Sequence, residues 1–155
     1  MDRVDRASRV IEAPPRTVYD ALVDRESLEA WLPPDGMCGR IERWDPWPGG
    51  GFRMVLTYLD ATDSPGKTSA ATDVVDIGFA DLVPSERVVQ RAVFESDDPL
   101  FAGTMTMTWH LAAVGNGTEV TVTATDVPPG IDHAQHETGI ASSLANLASY
   151  VEEHG

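Results

Sequence analysis

Apolar residues recur at helical spacing near the end of the chain: Ile140, Ala141, Leu144, Leu147, Ala148 and Val151 make one stripe. The pattern predicts a long helix over 132–155. Pro128, Pro129 and Gly130 break the preceding strand, and Asp132 with Gln135 reads as a capping pair. Carried backwards, the same stripe lands on His133, His136 and Glu137, so this face turns polar in the first turns of the helix.

Before that helix the period is mostly two. Ala7 to Ala13 reads as a strand ended by Pro14 and Pro15, followed by short helices over Arg16 to Val23 and Ser27 to Trp31. Cys38 to Trp44 reads as a second strand, and Asp45 to Gly51, rich in Pro and Gly, as a tight turn. Phe52, Met54, Leu56 and Tyr58 alternate with smaller or polar residues, as do Val75, Ile77 and Phe79. Two loops are expected, at 60–71 and at 96–103, on either side of a strand from Arg87 to Glu95. The clearest hairpin joins Thr104–Val114 to Thr118–Thr125 through Gly115, Asn116 and Gly117.

The expected order is therefore strand, two short helices, about six strands, long helix. A flat meander of that length cannot be covered by one helix. A curved antiparallel sheet of six to seven strands wrapped around the terminal helix solves the problem, with its Thr-rich face outward and its Met, Trp, Phe and Ile face inward. A straight helix does not fit a curved sheet everywhere, which leaves room for a small molecule. The fold class is α+β.

Composition narrows the partners. The chain has 155 residues, enough for one domain with its own core, and no linker or repeat divides it. Eleven Lys and Arg against 25 Asp and Glu give a net charge of −14, which repels nucleic acid and anionic membranes. A lone Cys38, no apolar leader and no run of membrane-spanning length point to a cytoplasmic protein with no membrane insertion. Monomer and homodimer both remain open.

The candidate chemistry is sparse. His133, His136 and Glu137 share a helix face and could bind a metal, but no closed ligand set accompanies them, so neither a metal nor a cofactor is expected. They read better as polar groups at a cavity rim, with His136 able to carry a proton near neutral pH. Ser142 and Ser143 lack a nucleophile elbow, and Cys38 reads as a small buried hydrophobe, so no catalytic residue is assigned. Gly49, Gly50 and Gly51 precede a strand and lack the lysine of a phosphate loop. Of the four tryptophans, Trp109 alone sits in an alternation that points it inward.

Ala13-Pro-Pro-Arg-Thr-Val18 with Trp31, then Pro48-Gly-Gly-Gly-Phe-Arg53 and Pro84-Ser-Glu-Arg-Val88, resembles the START-like, or SRPBCC, superfamily. His136-x-x-Gly139 and Leu144-x-x-Leu147 extend the match along essentially the whole chain. Within it the sequence is most similar to the family named after the C-terminal domain of the activator of the heat-shock-protein ATPase. The resemblance implies the helix-grip fold. It also implies a ligand of hydrophobic character, since members bind lipids, polyketides and similar molecules and some catalyse cyclisation or hydrolysis. Members often place Trp after the helix glycine, where this chain has Ile140, a smaller side chain that should widen the cavity.

The resulting expectation is a binding protein for a small, largely apolar molecule. Its lining is drawn from Phe52, Met54, Tyr58, Ile77, Phe79, Met107, Trp109, Ile140, Leu144 and Leu147, with His136 as the polar contact. Two other classes stay open: an enzyme of cyclase or hydrolase type using His136 as acid or base, and a protein-interaction module related to chaperone ATPase activators.

Overall fold

The alternating segments pair, among the described residues, into one antiparallel sheet of seven strands in the order β1-β7-β6-β5-β4-β3-β2. The computed structural model describes residues 3–33, 36–58, 72–94, 98–100 and 102–154. The strands are β1 (Val4–Ile11), β2 (Met37–Asp45), β3 (Gly51–Tyr58), β4 (Thr72–Val83), β5 (Arg87–Phe94), β6 (Gly103–Val114) and β7 (Gly117–Thr125). The helices are α1 (Pro15–Leu22), α2 (Arg25–Trp31) and α3 (His133–His154). Strands β2 to β7 form a meander, and β1 joins it at the β7 side. The loop expected at 60–71 lies outside the described residues, as do 96, 97 and 101 of the second loop.

Local chemistry explains the element ends. Pro15 opens α1 with its φ already helical. Asp24 caps α2 by accepting from the Ser27 N–H, and Asp132 caps α3 by accepting from the Gln135 N–H at 2.8 Å. The β6–β7 hairpin turns with Gly115 at φ 58°, the positive value its first central position requires. Gly51 faces Gly78 across β3 and β4, where a Cβ would collide with the Ile77 carbonyl oxygen. Bulges at Ile41/Arg43 and Phe79/Asp81 bend β2 and β4, and the second lets β4 run on to Val83.

The inner face of the sheet carries the core. Phe52, Met54, Phe79, Trp109, Leu111, Val120 and Val122 are buried there, against Ile140, Leu144, Leu147 and Val151 of α3. Trp44, Phe52 and Phe79 cluster with ring centroids 5.6–6.0 Å apart. Trp31 meets Trp109 edge-on at 5.6 Å and 73°, which ties α2 to the middle of the sheet. Its indole N–H also donates to the Ala21 carbonyl on α1. Trp31 is thus a core residue although no alternation announces it. Cys38 corrects the sequence reading: it is exposed. In β2 the inward positions are Gly39 and Ile41, so Cys38 and Arg40 alternate outward.

Helix α3 runs beside the free edge of β1. The Arg6 N–H donates to Glu137 Oε2 at 2.9 Å, and the Glu12 N–H donates to Glu152 Oε2 at 3.0 Å. From Arg6 to Glu12 a strand rises roughly 20 Å. From Glu137 to Glu152 a helix rises about 22 Å. Strand and helix therefore keep step, and two glutamates fill outward backbone donors at both ends of the edge. On the opposite edge, Glu29 accepts from the Ile41 N–H at 2.6 Å while Arg25 donates to the Ile41 carbonyl, both from α2.

Candidate ligand-binding site between sheet and helix

Strand register lines up a row of inward side chains across the sheet. Asp5 faces Ala124, Ala124 faces Met107, Met107 faces Gln90, and Gln90 faces Phe79. Asp5 and Ala124 are fully buried, Gln90 and Phe79 nearly so. Met107 is only half-buried although Met105 and Trp109 on either side of its strand are covered. The row thus has a polar group near each end and a small plus a flexible apolar residue between them.

Gln90 is held by Trp109, whose indole N–H donates to Gln90 Oε1 at 3.0 Å. An indole only donates, so this bond fixes which end of the amide is oxygen. The amide nitrogen has no protein partner among the described residues. Among those residues no fully buried side-chain nitrogen or oxygen lacks a partner, so the Gln90 Nε2 opens onto accessible space on the inner face.

At the other end Asp5 collects four donors. Arg3 Nε and Nη2 reach its two oxygens at 2.8 Å each, His133 Nδ1 lies 2.5 Å from one and His136 Nδ1 2.6 Å from the other. Burial alone would push this carboxyl up. The hydrogen bonds from Arg3, His136 and His133 outweigh burial and hold it well below the usual carboxylate range. Asp5 accepts only, so both rings present Nδ1–H to it. His133 also places Nε2 3.3 Å from Glu137 Oε1. His136 Nε2 has no protein partner among the described residues.

The residues expected as a lining divide accordingly. Phe52, Met54, Ile77, Phe79, Trp109, Ile140, Leu144 and Leu147 are buried in the common core, and Met107 is half-buried on the same face. The side chain of Tyr58 lies outside the described part of the structure. His136 is brought to the inner face, with its Nδ1 committed to Asp5. Among the described residues no cluster of His, Cys, Asp or Glu could hold a metal ion. No helix among them is long and apolar enough to cross a membrane.

The family model for Activator of Hsp90 ATPase homolog 1-like proteins matches residues 12–152. The chain belongs to this family. Its fold is the START-like helix-grip of Activator of Hsp90 ATPase homolog 1-like proteins. The crystal structure of protein CV1439 from Chromobacterium violaceum is similar, with 30% identity, 96% of this chain and 97% of that chain covered, and a TM-score of 0.79. An AHSA1-like protein from Aeromonas hydrophila, solved by NMR, shares the fold at 20% identity, with 97% and 93% covered and a TM-score of 0.77. DynU16, from the dynemicin biosynthetic locus, matches 98% of this chain with 48% of its own length, at 24% identity and a TM-score of 0.68. No curated protein matches the sequence.

This AHSA1-like chain carries a groove of about 450 Å³ on the helix layer. Thr17, Asp20, Asp24, Ser27, Tyr150 and Val151 line it, and the Ser27 and Tyr150 hydroxyls meet at 3.0 Å inside it. It sits at the far end of α3 from His136 and does not touch the sheet row. Sequence reasoning missed Arg3, Asp5 and Gln90. For Gln90 the signal was available: Val88, Gln90 and Ala92 alternate inward on β5, and a long amide among apolar positions marks a buried polar group.

Proposed function

We propose that the protein binds a small, largely apolar molecule between the inner face of the sheet and α3. The observation that carries this reading is the Gln90 amide nitrogen: a donor with no partner among the described residues, opening onto accessible space within a largely apolar inner face. A few fixed polar groups among many apolar ones are what small-molecule sites share. The half-buried Met107 beside it supplies an adaptable wall. The match to DynU16, a protein of a biosynthetic locus, agrees with a small organic ligand.

The test is native mass spectrometry for a retained molecule, together with binding of a hydrophobic fluorescent probe. Ile140→Trp fills space on the α3 side and should weaken the probe. A folded Ile140→Trp protein that binds as before would sink the reading, because a probe held in the helix groove is insensitive to this change.

A second reading, an enzyme acting on such a ligand, is favoured by one observation. The buried Asp5 carboxylate holds His136 through Nδ1, and Nε2 has no partner among the described residues, the arrangement of an imidazole acid or base. Slow turnover of a bound molecule, abolished by His136→Phe, would establish it.

A further inference from the structure

Two polar groups bracket the inward row, and their bonding partners give them opposite hydrogen-bonding character. Asp5 can only accept, so it claims the Nδ1–H of His136, and in the neutral ring this makes Nε2 an acceptor. Trp109 can only donate, so it claims Gln90 Oε1 and leaves the amide Nε2 as a donor. Between them lie Ala124, small and fully buried, and Met107, half-buried and flexible. Asp5 and Gln90 stand three strand spacings apart, about 14 Å at the backbone and less between the side-chain tips.

Resting on the binding function proposed above, we infer that His136 and Gln90 are its specificity-determining residues, selecting a slender apolar molecule with a hydroxyl or N–H donor at one end and a carbonyl acceptor at the other. The hydroxyl sits at the His136 Nε2 lone pair and the carbonyl at the Gln90 amide N–H. A molecule seated in the reverse orientation meets lone pair with lone pair at His136 and N–H with N–H at Gln90. Such unpaired contacts discriminate more strongly than a missing methylene does.

The experiment is calorimetric binding of four probes: 4-(4-hydroxyphenyl)butan-2-one, its O-methyl ether, 4-butylphenol and butylbenzene. Wild type should prefer the hydroxyketone over butylbenzene by roughly tenfold or more, the factor for one lost buried hydrogen bond. His136→Phe should erase the preference for the phenol over its ether and keep the preference for the ketone. Gln90→Met should do the reverse. Nitrogen NMR of the His136 imidazole in the wild type gives an answer independent of whether the variants fold: Nδ1 protonated and Nε2 bare, with Nε2 shifting on addition of the phenol but not of its ether. The opposite tautomer, equal losses for all probes in each variant, or butylbenzene binding as tightly as the hydroxyketone would overturn the inference while leaving the binding function standing. Failure of all four probes to bind would overturn both.

Discussion

The sheet has two free edges, and the protein closes them by different means. Along β1 one helix of 22 residues runs the length of the strand, with Glu137 and Glu152 filling outward N–H groups and Asp5 reaching back to its first turns. Along β2 a helix of seven residues bonds the backbone at one residue, where Arg25 and Glu29 take both backbone groups of Ile41 at a bulge. The rest of β2 is protected by charge: Arg40 and Glu42 pair with each other in solvent, and Arg43 reaches toward Asp45. An unprotected edge invites pairing with another chain, and cover and deterrence are both known answers. The covered edge is the one next to the candidate site. A covered edge can share its helix with a ligand, whereas a charged edge has nothing to share.

The largest effect should come from Asp5→Asn, which leaves Arg3 and two imidazoles without their carboxylate at a fully buried position. A loss of about 3 kcal/mol in urea unfolding is expected. A loss below about 1 kcal/mol would show that the glutamates alone hold the β1 edge. Acid probes the same contrast. Because the folded-state pKa of Asp5 is lowered, its contribution is fully present above the unfolded carboxylate value near pH 4 and disappears as pH falls below it. The wild type should lose stability between roughly pH 5 and pH 2 more steeply than Asp5→Asn. Parallel acid limbs for the two proteins would contradict the assignment.

On the β2 side, Glu29→Ala leaves the N–H of the buried Ile41 unpaired and should cost about 1.5 kcal/mol. Hydrogen exchange should localise the damage to the Ile41 bulge, with β1 amides unchanged; faster exchange at both edges would mean that they are not independent. Gly139→Ala should stabilise by about 0.5–1 kcal/mol, since a Cβ there meets nothing and helix propensity improves. The smallest effect, about 0.5 kcal/mol, is expected for Glu152→Ala, whose bond is solvent-exposed, with the Glu12 amide as its exchange readout.

How much of this was legible depends on whether the signal is local. The α3 stripe, the β6–β7 hairpin and the inward Trp109 follow from periodicity within one segment, and the structure has all three. Strand β1 begins at Val4, ahead of the expected Ala7, because Arg3 and Asp5 look like a charged tail until the partners of Asp5 on α3 are known. Asp5 nevertheless shares the inward parity of Ile11. The polar turn at His133, His136 and Glu137 was visible, but its purpose was not: spacing along a helix shows a common face and says nothing of the strand that meets it. Cys38 failed for a related reason, since its environment depends on which side of an edge strand faces the helices.

The bonds between Asp5 and the start of α3 join residues 128 and 131 positions apart, while the meander from β2 to β7 pairs neighbours in sequence. Closing so long a loop is slow relative to zipping a hairpin. The β6–β7 hairpin is therefore expected to be formed in the folding transition state and the Asp5 cluster to be absent from it. Substitutions in the cluster should then leave the refolding rate nearly unchanged and accelerate unfolding. By this route a handful of side chains far from the folding nucleus sets the lifetime of the native molecule.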